Sequence, residues 1–318
     1  MTPPFTITGR ILNLISNIER LIGRVESLDQ PKPQPQLRKS NRVKTLQGSL
    51  AIEGNSLDLE QVTAILDGKT VIAPKNDIQE LLNANTVYEK LHTYRPAKQD
   101  HLLQSHSVMM KGLIPEAGRW RSGNVGVMKG NVISHMAPPA DRVPYLMDDL
   151  FNFLKTDTHP LIKGCVFHYE FEFIHPFQDG NGRIGRFWHT LMLYHYHQIF
   201  EYIPVDSLIK KHQKQYYKVL EQCDHAAEST LFIEFSLEMI MKSLEDFMEV
   251  FRPKPATPID RLVNAQQHFA HKSFSRKDYL ELYKAISTAT ASRDLKTGVD
   301  KKLLVKSGEK ALSLYSFL

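Results

Sequence analysis

Twelve residues near the centre of the chain combine reactive and anion-binding groups: His175-Pro176-Phe177-Gln178-Asp179-Gly180-Asn181-Gly182-Arg183-Ile184-Gly185-Arg186. The glycines indicate a loop whose backbone N–H groups can approach an anion closely. Residues 187–193 have a helical pattern, so this loop leads into a helix N-terminus, where the helix dipole and free N–H groups favour phosphate. The two arginines lie three residues apart and can face the same ligand.

Two further side chains of this stretch suit phosphate chemistry. Asp179 offers hard oxygens of the kind that bind Mg²⁺, which usually takes one or two carboxylates together with substrate phosphates. His175 is the natural proton acceptor at neutral pH. The alternative is a glycine-rich turn ahead of a buried helix, but such a turn requires neither an Asn between two glycines nor a His upstream.

The stretch resembles the signature of the Fic family of nucleotidyltransferases, HxFx(D/E)GNGRxxR, and matches it at every fixed position. The resemblance implies a mainly α-helical Fic core over roughly residues 45–250. It also implies transfer of AMP from ATP to a protein hydroxyl. Because the loop chemistry contacts only phosphates, removal of AMP and transfer of another phosphate-containing group remain alternatives within the same fold.

The resemblance also assigns roles to the phosphate-binding residues. Gly180 and Gly182 would offer backbone N–H groups to phosphate oxygens, and Asn181 would hydrogen-bond the α-phosphate. Arg183 and Arg186 would hold the β- and γ-phosphates and stabilise the departing pyrophosphate.

The remaining roles concern the proton, the metal and the loop itself. His175 would accept the proton of an attacking Ser, Thr or Tyr hydroxyl, and Asp179 would hold Mg²⁺ between the phosphates. Phe177 is interpreted as an anchor that packs the loop against the core.

An upstream segment, Ser49-Leu50-Ala51-Ile52-Glu53-Gly54-Asn55, resembles the family's inhibitory motif, (S/T)xxxE(G/N). Ser49 and Glu53 are four residues apart and share one helix face. Glu53 is predicted to pair with Arg186 and so to remove the partner of the γ-phosphate, as in the self-inhibited subgroup. The alternative is a surface Glu near a helix end, where its charge is unfavourable for the dipole. In some relatives this Glu also positions a water that removes AMP.

Two other parts of the chain resemble family features. The pattern at 123–133 predicts a hairpin at the position of the family's flap, whose edge strand binds a target protein by β-augmentation; a purely structural hairpin is the alternative. The segment that begins with Tyr216 and Tyr217 resembles the family's helix that helps form the adenine pocket, where an aromatic ring can stack on the base. Packing of both tyrosines in the core is the alternative.

Hydrophobic periodicity predicts a mainly helical chain with that one hairpin in its body. The predicted division is an N-terminal helix and Pro-rich linker over 1–36, a Fic core over 37–251 that includes the inhibitory helix at about 37–55, a linker over 252–258, and a domain over 259–318 that resembles a winged helix-turn-helix. The helices predicted in the first two parts span about 8–28, 37–52, 58–68, 77–94, 96–113, 142–155, 161–173, 185–199, 206–224 and 229–251. The last part is predicted to hold helices over 258–271, 276–286 and 289–299, and then two strands.

The net charge of +5 lies in the C-terminal part. Residues 256–318 carry 11 Lys/Arg and 6 Asp/Glu, and the rest of the chain carries 29 of each. A DNA-binding regulator is therefore the alternative from another functional class. In that case helix 289–299 would lie in the major groove of the DNA, and the Lys306–Lys310 hairpin would contact the DNA backbone. Its candidate contacts include Arg293, Lys296, Lys301 and Lys302. The other interpretation is a domain that positions protein targets or packs on the core.

Composition narrows the class of protein further. Hydrophobic residues make up 42% and charged residues 24% of 318, which is ordinary for a soluble protein. No apolar run is long enough to span a membrane and the start lacks a signal-peptide pattern, so a cytoplasmic protein without membrane contact is expected. Cys165 and Cys223 are interpreted as packing residues. The histidines near the loop lack zinc spacing and are assigned packing or solvent roles (His168, His189, His195 and His197). Family relatives often form homodimers.

Overall fold

A computed structural model describes residues 2–27, 35–129, 132–250, 256–270, 272–309 and 312–318, with the backbone alone for 127–129 and 132–135. Most of the two predicted linkers, the turn at 130–131 and Lys310 lie outside the described residues. The chain divides into two compact units, Met1–Val250 and Phe251–Leu318.

Helices account for most of the described part of the first unit. They are α1 (Gly9–Glu26), α2 (Pro35–Ile52), α3 (Leu59–Leu66), α4 (Lys75–Glu89), α5 (Gln99–Met109), α6 (Val143–Phe153), α7 (Pro160–Ile174), α8 (Asn181–Tyr196), α9 (Val205–Lys211), α10 (Gln213–Ala226) and α11 (Thr230–Glu249). Short 3₁₀ turns occupy Leu91–Thr93, Ala140–Arg142 and Gln198–Tyr202. Across the described ranges, none of the helices has the length and apolar character needed to cross a membrane.

Local sequence signals account for several of these helices. The apolar stripe predicted in the first helix is buried against α11 from Ile11 to Val25. Asp58 and Gln61 form the predicted capping box, in which each side chain accepts a hydrogen bond from the other residue's backbone N–H. The Gly68 end of that helix is confirmed as well, because Gly68 has a left-handed φ of 76°.

Some predicted boundaries are wrong. The single helix predicted over 206–224 is two helices, because His212 leaves helical geometry (φ −106°, ψ 24°). The break lets α9 pack against α2 while α10 packs against α11. The helix predicted from residue 185 begins four residues earlier, since Gly180 adopts a left-handed φ of 83° and its carbonyl accepts the first helical bond from Ile184 N–H (3.0 Å). The helices predicted over 77–94 and 96–113 are shorter, as α4 and α5.

The core of the first unit surrounds the packed pair α7 and α8. Phe167 and Phe171 of α7 and Phe187 and Trp188 of α8 are fully buried. Because α7 is covered on nearly all sides, its sequence is apolar with little helical periodicity. The loop that carries the signature residues joins these two central helices, so it is positioned by the most buried part of the fold.

A short antiparallel hairpin confirms the one predicted in the body of the chain. Strands β1 (Gly126–Lys129) and β2 (Val132–Met136) pair with Gly126 opposite Met136, and the register shifts between Val127 and Met128. Such a shift is typical of a β-bulge, which increases the local twist of the hairpin.

The second unit contains helices and a small antiparallel sheet. Its elements are α12 (Pro258–Phe269), β3 (Phe274–Ser275), α13 (Arg276–Leu282), α14 (Thr288–Asp300), β4 (Leu304–Ser307) and β5 (Leu314–Phe317). The sheet order is β3-β5-β4, so the two predicted strands gain a third, very short partner. Phe274 of β3 is buried and stacks on Phe269 with 4.2 Å between ring centroids. Three helices and a strand pair are the elements on which the resemblance to a winged helix-turn-helix is based, and that resemblance stays a prediction.

A buried ion pair stabilises the second unit and provides a test of its packing. Asp294 of α14 is 1% exposed and accepts bonds from Arg261 Nε (2.6 Å) and Nη2 (2.8 Å) of α12, and from the Tyr279 hydroxyl (3.3 Å). Asp294→Ala should destabilise this unit by about 3 kcal/mol, because it leaves a half-buried guanidinium without its anion. Hydrogen exchange of α12 and α14 amides in the full chain measures the loss. Asp300→Ala, at an exposed position of the same helix, is the control, and equal protection in the two variants would contradict the prediction.

Candidate active site

The signature loop begins with an unusual backbone conformation at its histidine. His175 ends α7 in the left-handed region (φ 50°, ψ 59°), a conformation that costs a non-glycine residue of order 1–3 kcal/mol and that clusters at functional sites. Its N–H donates to Phe171 O (3.0 Å), and its ring Nδ1 lies 3.4 Å from Glu172 O. A carbonyl can only accept, so a neutral ring in this orientation carries its proton on Nδ1 and leaves Nε2 as the base.

The loop is packed down by Phe177, as predicted. Phe177 is fully buried and stacks on His106 of α5 with 3.6 Å between ring centroids and 6° between planes. His106 Nδ1 accepts from Gly118 N–H (2.8 Å), so its Nε2 carries the proton and donates to Asp179 O (2.9 Å). Burial lowers the pKa of His106 to about 4, although the hydrogen bond to Asp179 acts in the opposite direction. The low pKa keeps this ring neutral.

Arg121 is a second support of the loop, and sequence reasoning missed it. Its side chain is 4% exposed and donates from Nε to His175 O (2.8 Å). It also donates to Gly123 O (2.9 Å) and Pro138 O (2.5 Å), which lie on either side of the hairpin. Burial lowers the pKa of this guanidinium. One arginine therefore ties both ends of the hairpin to the backbone of His175.

Asn181 holds the turn between the loop and α8. Its side-chain Oδ1 accepts from Phe177 N–H (2.8 Å), its Nδ2 donates to Phe177 O (2.9 Å), and the residue is 1% exposed. The amide is thus bonded to the loop backbone in this structure, and its bond to an α-phosphate stays a prediction. The N–H groups of the first turn of α8 have no acceptors inside the helix, which is the feature that lets a helix N-terminus bind an anion.

Arg183 is held between two carboxylates. Its Nη1 donates to Glu80 Oε1 of α4 (2.6 Å) and its Nη2 to Asp179 Oδ1 (2.8 Å), while the side chain is 6% exposed. Asp179 Oδ1 also accepts from Gly180 N–H (2.5 Å). Glu80, which sequence reasoning missed, gives no motif signal because it acts through tertiary contact alone.

Asp179 is compatible with a metal held mainly by phosphates. More than half of its side chain is exposed (57%), so a carboxylate oxygen can reach a cation in the loop. Within the described residues there is no cluster of three or more His, Cys, Asp or Glu side chains that could hold a metal. This donor set fits Mg²⁺, which keeps water and takes substrate phosphates as ligands, better than it fits a metal with protein ligands alone.

Arg186 makes the ion pair predicted with the upstream segment. It is 1% exposed, and its Nη2 donates to Glu53 Oε1 (2.8 Å) and to Ser49 O (2.9 Å), while Nε donates to Ser49 Oγ (3.1 Å). Burial lowers the pKa of Arg186, but the negative charges of Glu53, Asp206 and Glu172 around it together outweigh burial, and the net pKa is raised. The guanidinium is therefore permanently charged and depends on anions around it.

Glu53 also lies directly on the first turn of α8. A Cβ added at Gly182 would stand 2.2 Å from Glu53 Oε1, so only glycine leaves room for the carboxylate here. The side chain of Glu53 thus occupies space beside the helix N-terminus, next to Arg186. The negative charge beside this helix N-terminus is therefore supplied by the protein's own Glu53 carboxylate.

The two tyrosines of α10 have different environments. Tyr216 is 1% exposed and packs among aromatic rings that include Phe232 and Phe235, which favours the packing alternative for this residue. Tyr217 is 40% exposed and donates to Ile52 O (3.3 Å), so its predicted contact with a base stays open. Burial raises the pKa of both hydroxyls.

Two of the histidines and both cysteines around the loop are packing groups, whereas His195 is exposed and His197 is partly exposed. His168 and His189 are buried with ring centroids 5.2 Å apart, and burial lowers the pKa of both, that of His189 to about 4. Cys165 and Cys223 are buried free thiols. Burial raises the pKa of Cys223 to about 11, so neither packing nor charge suggests a reactive thiol.

Comparison with known proteins agrees with this geometry. Residues 96–193, which include the loop and most of α8, match the Fic/DOC family. The chain is 26% identical over 223 residues to protein adenylyltransferase Fic of Culex quinquefasciatus, a match that covers 65% of this chain and 42% of that protein. It is 32% identical over 150 residues to protein adenylyltransferase fic-1 of Caenorhabditis elegans, which covers 43% and 29% respectively. The chain thus spans less than half the length of these curated relatives.

Solved structures extend the likeness over the whole chain. Fic-1 (residues 134–508) of Caenorhabditis elegans shares the fold, with a TM-score of 0.62 at 19% identity over 76% of this chain and 73% of that one. A Fic family protein of Desulfovibrio desulfuricans G20 superposes with a TM-score of 0.77 at 38% identity, over 100% of this chain and 98% of that one. With a full-length match of that identity and a signature loop built as described, the chain belongs to the Fic family.

Proposed function

We propose that this protein transfers AMP from ATP to hydroxyl groups of proteins and that it inhibits itself through Glu53. The observation that carries the proposal is the Glu53 carboxylate on the phosphate-binding turn, 2.8 Å from Arg186 Nη2 and against Gly182. A site that binds a carboxylate with a buried guanidinium at a helix N-terminus can also bind a phosphate when the carboxylate leaves. The relatives named protein adenylyltransferase support ATP as the co-substrate.

The proposed chemistry uses the side chains of the signature loop. The hydroxyl oxygen of the target attacks the α-phosphorus, and the bond between that phosphorus and the oxygen bridging to the β-phosphorus breaks. The proton of the hydroxyl passes to His175 Nε2, and pyrophosphate leaves with the electron pair of the broken bond. Arg121 and Asn181 act on this step indirectly, because they fix the backbone of the loop that carries the base.

The phosphate groups would be bound at the N-terminus of α8. Gly180, Gly182 and the first-turn N–H groups face the α- and β-phosphates, and Arg183 and Arg186 neutralise the charge that develops on pyrophosphate. Asp179 would hold Mg²⁺, which supplies charge neutralisation of the phosphates when bound. Tyr217 is the exposed aromatic near this end that can stack on a base.

Self-inhibition is a competition for Arg186. While Glu53 holds Nη2, a γ-phosphate finds both its cation and its space occupied, so ATP binds weakly or in an unproductive position. Ser49 supports this state, because its hydroxyl and carbonyl both accept from the same guanidinium. The target would pair with the hairpin edge at 123–133. Arg121 supports this proposal, because it bonds Gly123 O and Pro138 O at the two ends of the hairpin as well as His175 O. Removal of AMP and transfer of another phosphate-containing group remain alternatives.

Replacing Glu53 should release activity and reduce stability together. Glu53→Gly should raise protein labelling by α-labelled ATP and Mg²⁺ by about tenfold or more, since a hydrogen bond to a charged group contributes roughly 1.5–3 kcal/mol. The same change should lower the free energy of unfolding by about 3 kcal/mol, because Arg186 stays buried and loses the carboxylate that is bonded to it. Added ATP should then stabilise the variant more than the wild type in thermal unfolding. Glu60→Gly, at an exposed acid of α3, is the control; equal labelling by wild type and Glu53→Gly would refute self-inhibition.

Removing the base should abolish transfer and spare binding. In the Glu53→Gly background, His175→Ala should lower the transfer rate by about 10²–10⁴-fold, the usual effect of a general base. The ATP dissociation constant from calorimetry should stay within about twofold, because the ring is not a predicted phosphate ligand. A full rate in the double variant would remove His175 from the reaction. If neither variant labels protein but pre-labelled protein loses AMP, the reverse reaction is the function.

The second unit supports a second candidate function, DNA binding. Arg293 and Lys296 lie on the exposed side of α14, and Arg276 donates to Ser292 Oγ (3.1 Å) beside them. If this face contacts phosphates, the affinity of the full chain for duplex DNA should fall steeply between 50 and 200 mM salt. Arg293→Ala with Lys296→Ala should reduce the slope of log K against log salt by about 2. Lys69→Ala with Lys90→Ala, at exposed positions of the first unit, is the charge-matched control, and equal slopes would argue against DNA.

A further inference from the structure

The end of the inhibitory helix is connected to its surroundings at each of its last carbonyls. A helix leaves its last four C=O groups without partners inside the helix. The chain itself supplies some donors to α2: Glu53 N–H (3.0 Å) and Asn55 N–H (3.2 Å) donate to Leu50 O, and Gly54 N–H donates to Ala51 O (3.2 Å). Ser49 O accepts from Arg186, as described above. Through those bonds, residues 53–55 turn back onto the last carbonyls of α2, and Glu53 is held directly at the helix end.

Three side chains from the junction of α9 and α10 supply the remaining donors. Lys210 Nζ donates to Ala51 O (2.6 Å), Gln213 Nε2 donates to Ile52 O (2.8 Å), and the Tyr217 hydroxyl donates to the same Ile52 carbonyl (3.3 Å). Lys210 Nζ also donates to Gln213 Oε1 (2.9 Å), so these two side chains form one connected unit. The break at His212, which sequence reasoning missed, is what brings both to the end of α2.

We propose that Lys210 and Gln213 are positioning residues of self-inhibition, which hold the end of α2 so that Glu53 reaches Arg186. This inference rests on the proposed function. It names a latch, Lys210 with Gln213, that lies outside the inhibitory segment and outside the signature loop. The latch acts on the reaction only through Glu53.

The charges at this helix end explain why a latch is required. The C-terminus of a helix carries partial negative charge, so a carboxylate that follows it directly is unfavourable. Glu53 stands at such a position, one residue after Ile52. Lys210 brings a positive charge to the same carbonyls and offsets that repulsion. Without Lys210 and Gln213, Ala51 O and Ile52 O keep only the Gly54 N–H and the longer Tyr217 bond.

Close packing between α9 and α2 fixes the position of the α9–α10 junction relative to α2. A Cβ added at Gly48 of α2 would stand 2.6 Å from Ser207 N of α9, so the two backbones are in direct contact. Asn41 Nδ2 donates to Tyr202 O (2.9 Å) two turns earlier, on the same side of α2. The helix is therefore fixed along its length, and the latch determines only its last turn. A change at the latch should move Glu53 without unfolding α2.

The test compares a latch variant with a matched surface variant in two backgrounds. Lys210→Ala with Gln213→Ala should raise labelling by α-labelled ATP about five- to tenfold in the otherwise wild-type full chain, as expected for loss of one charged and one neutral hydrogen bond. The same pair should change nothing in the Glu53→Gly background, because the latch acts only through Glu53. Lys214→Ala with Gln215→Ala, at exposed positions of α10, should leave both backgrounds unchanged. Lys210→Arg keeps a charged donor and should retain inhibition.

Hydrogen exchange provides a readout that needs no activity. The amides of Glu53, Gly54 and Asn55 donate to Leu50 O and Ala51 O, and they should exchange faster in the latch variant than in the surface variant. Unchanged exchange of these amides would overturn the latch. Lower labelling by the latch variant in the Glu53→Gly background would also overturn it, because that result would assign these side chains to nucleotide binding. If Glu53→Gly itself does not raise labelling, the proposed function fails, and exchange still decides whether the latch holds this segment.

Discussion

A buried guanidinium is the constraint on which the site depends. Arg186 is 1% exposed and remains charged at every accessible pH, so the fold must surround it with acceptors. Ser49 in the last turn of α2 and Glu53 just after that helix provide them, more than a hundred residues away in sequence. Leaving a buried charge without a partner costs about 3–5 kcal/mol, which is a large part of the stability of a typical domain. The same interaction therefore docks α2 on the core and occupies the candidate phosphate site.

The signature loop is held by contacts to its backbone rather than by its own reactive side chains. Arg121 donates to His175 O, His106 donates to Asp179 O, and Asn181 bonds both backbone groups of Phe177. Each of these supports is buried, whereas the Asp179 side chain and the outer face of the loop reach solvent. A buried support with an exposed outer face suits the proposed base, whose ring would have to reach a hydroxyl of another protein. The left-handed backbone of His175 is sustained by this surrounding structure.

The sequence predicts these features unevenly, for physical reasons. Interactions that repeat along one helix, such as the stripe of α1 or the capping box at Asp58, leave a pattern at fixed spacing. The ion pair of Glu53 with Arg186 was predictable through the family motif at both ends, though not from spacing alone. Arg121 and His106 have no such pattern, because each is a single residue brought to the loop by tertiary packing. The break between α9 and α10 is likewise set by two packing partners, α2 and α11, and not by a local breaker such as Pro or Gly.

Both arginines that are proposed to bind phosphate are linked to one short segment. Glu53 contacts Arg186 directly, while Asn55 Nδ2 donates to Glu80 Oε2 (2.9 Å), whose other oxygen accepts from Arg183 (2.6 Å). A movement of residues 49–55 therefore changes the surroundings of both cations. The positive end of α8 adds to their charge, so the site needs negative charge in either state. Carboxylates supply it when the segment is docked, and phosphates would supply it when the segment is displaced. Because one set of anions replaces another, the exchange avoids the cost of an unpaired buried charge, and a modest change at the end of α2 is enough to shift it.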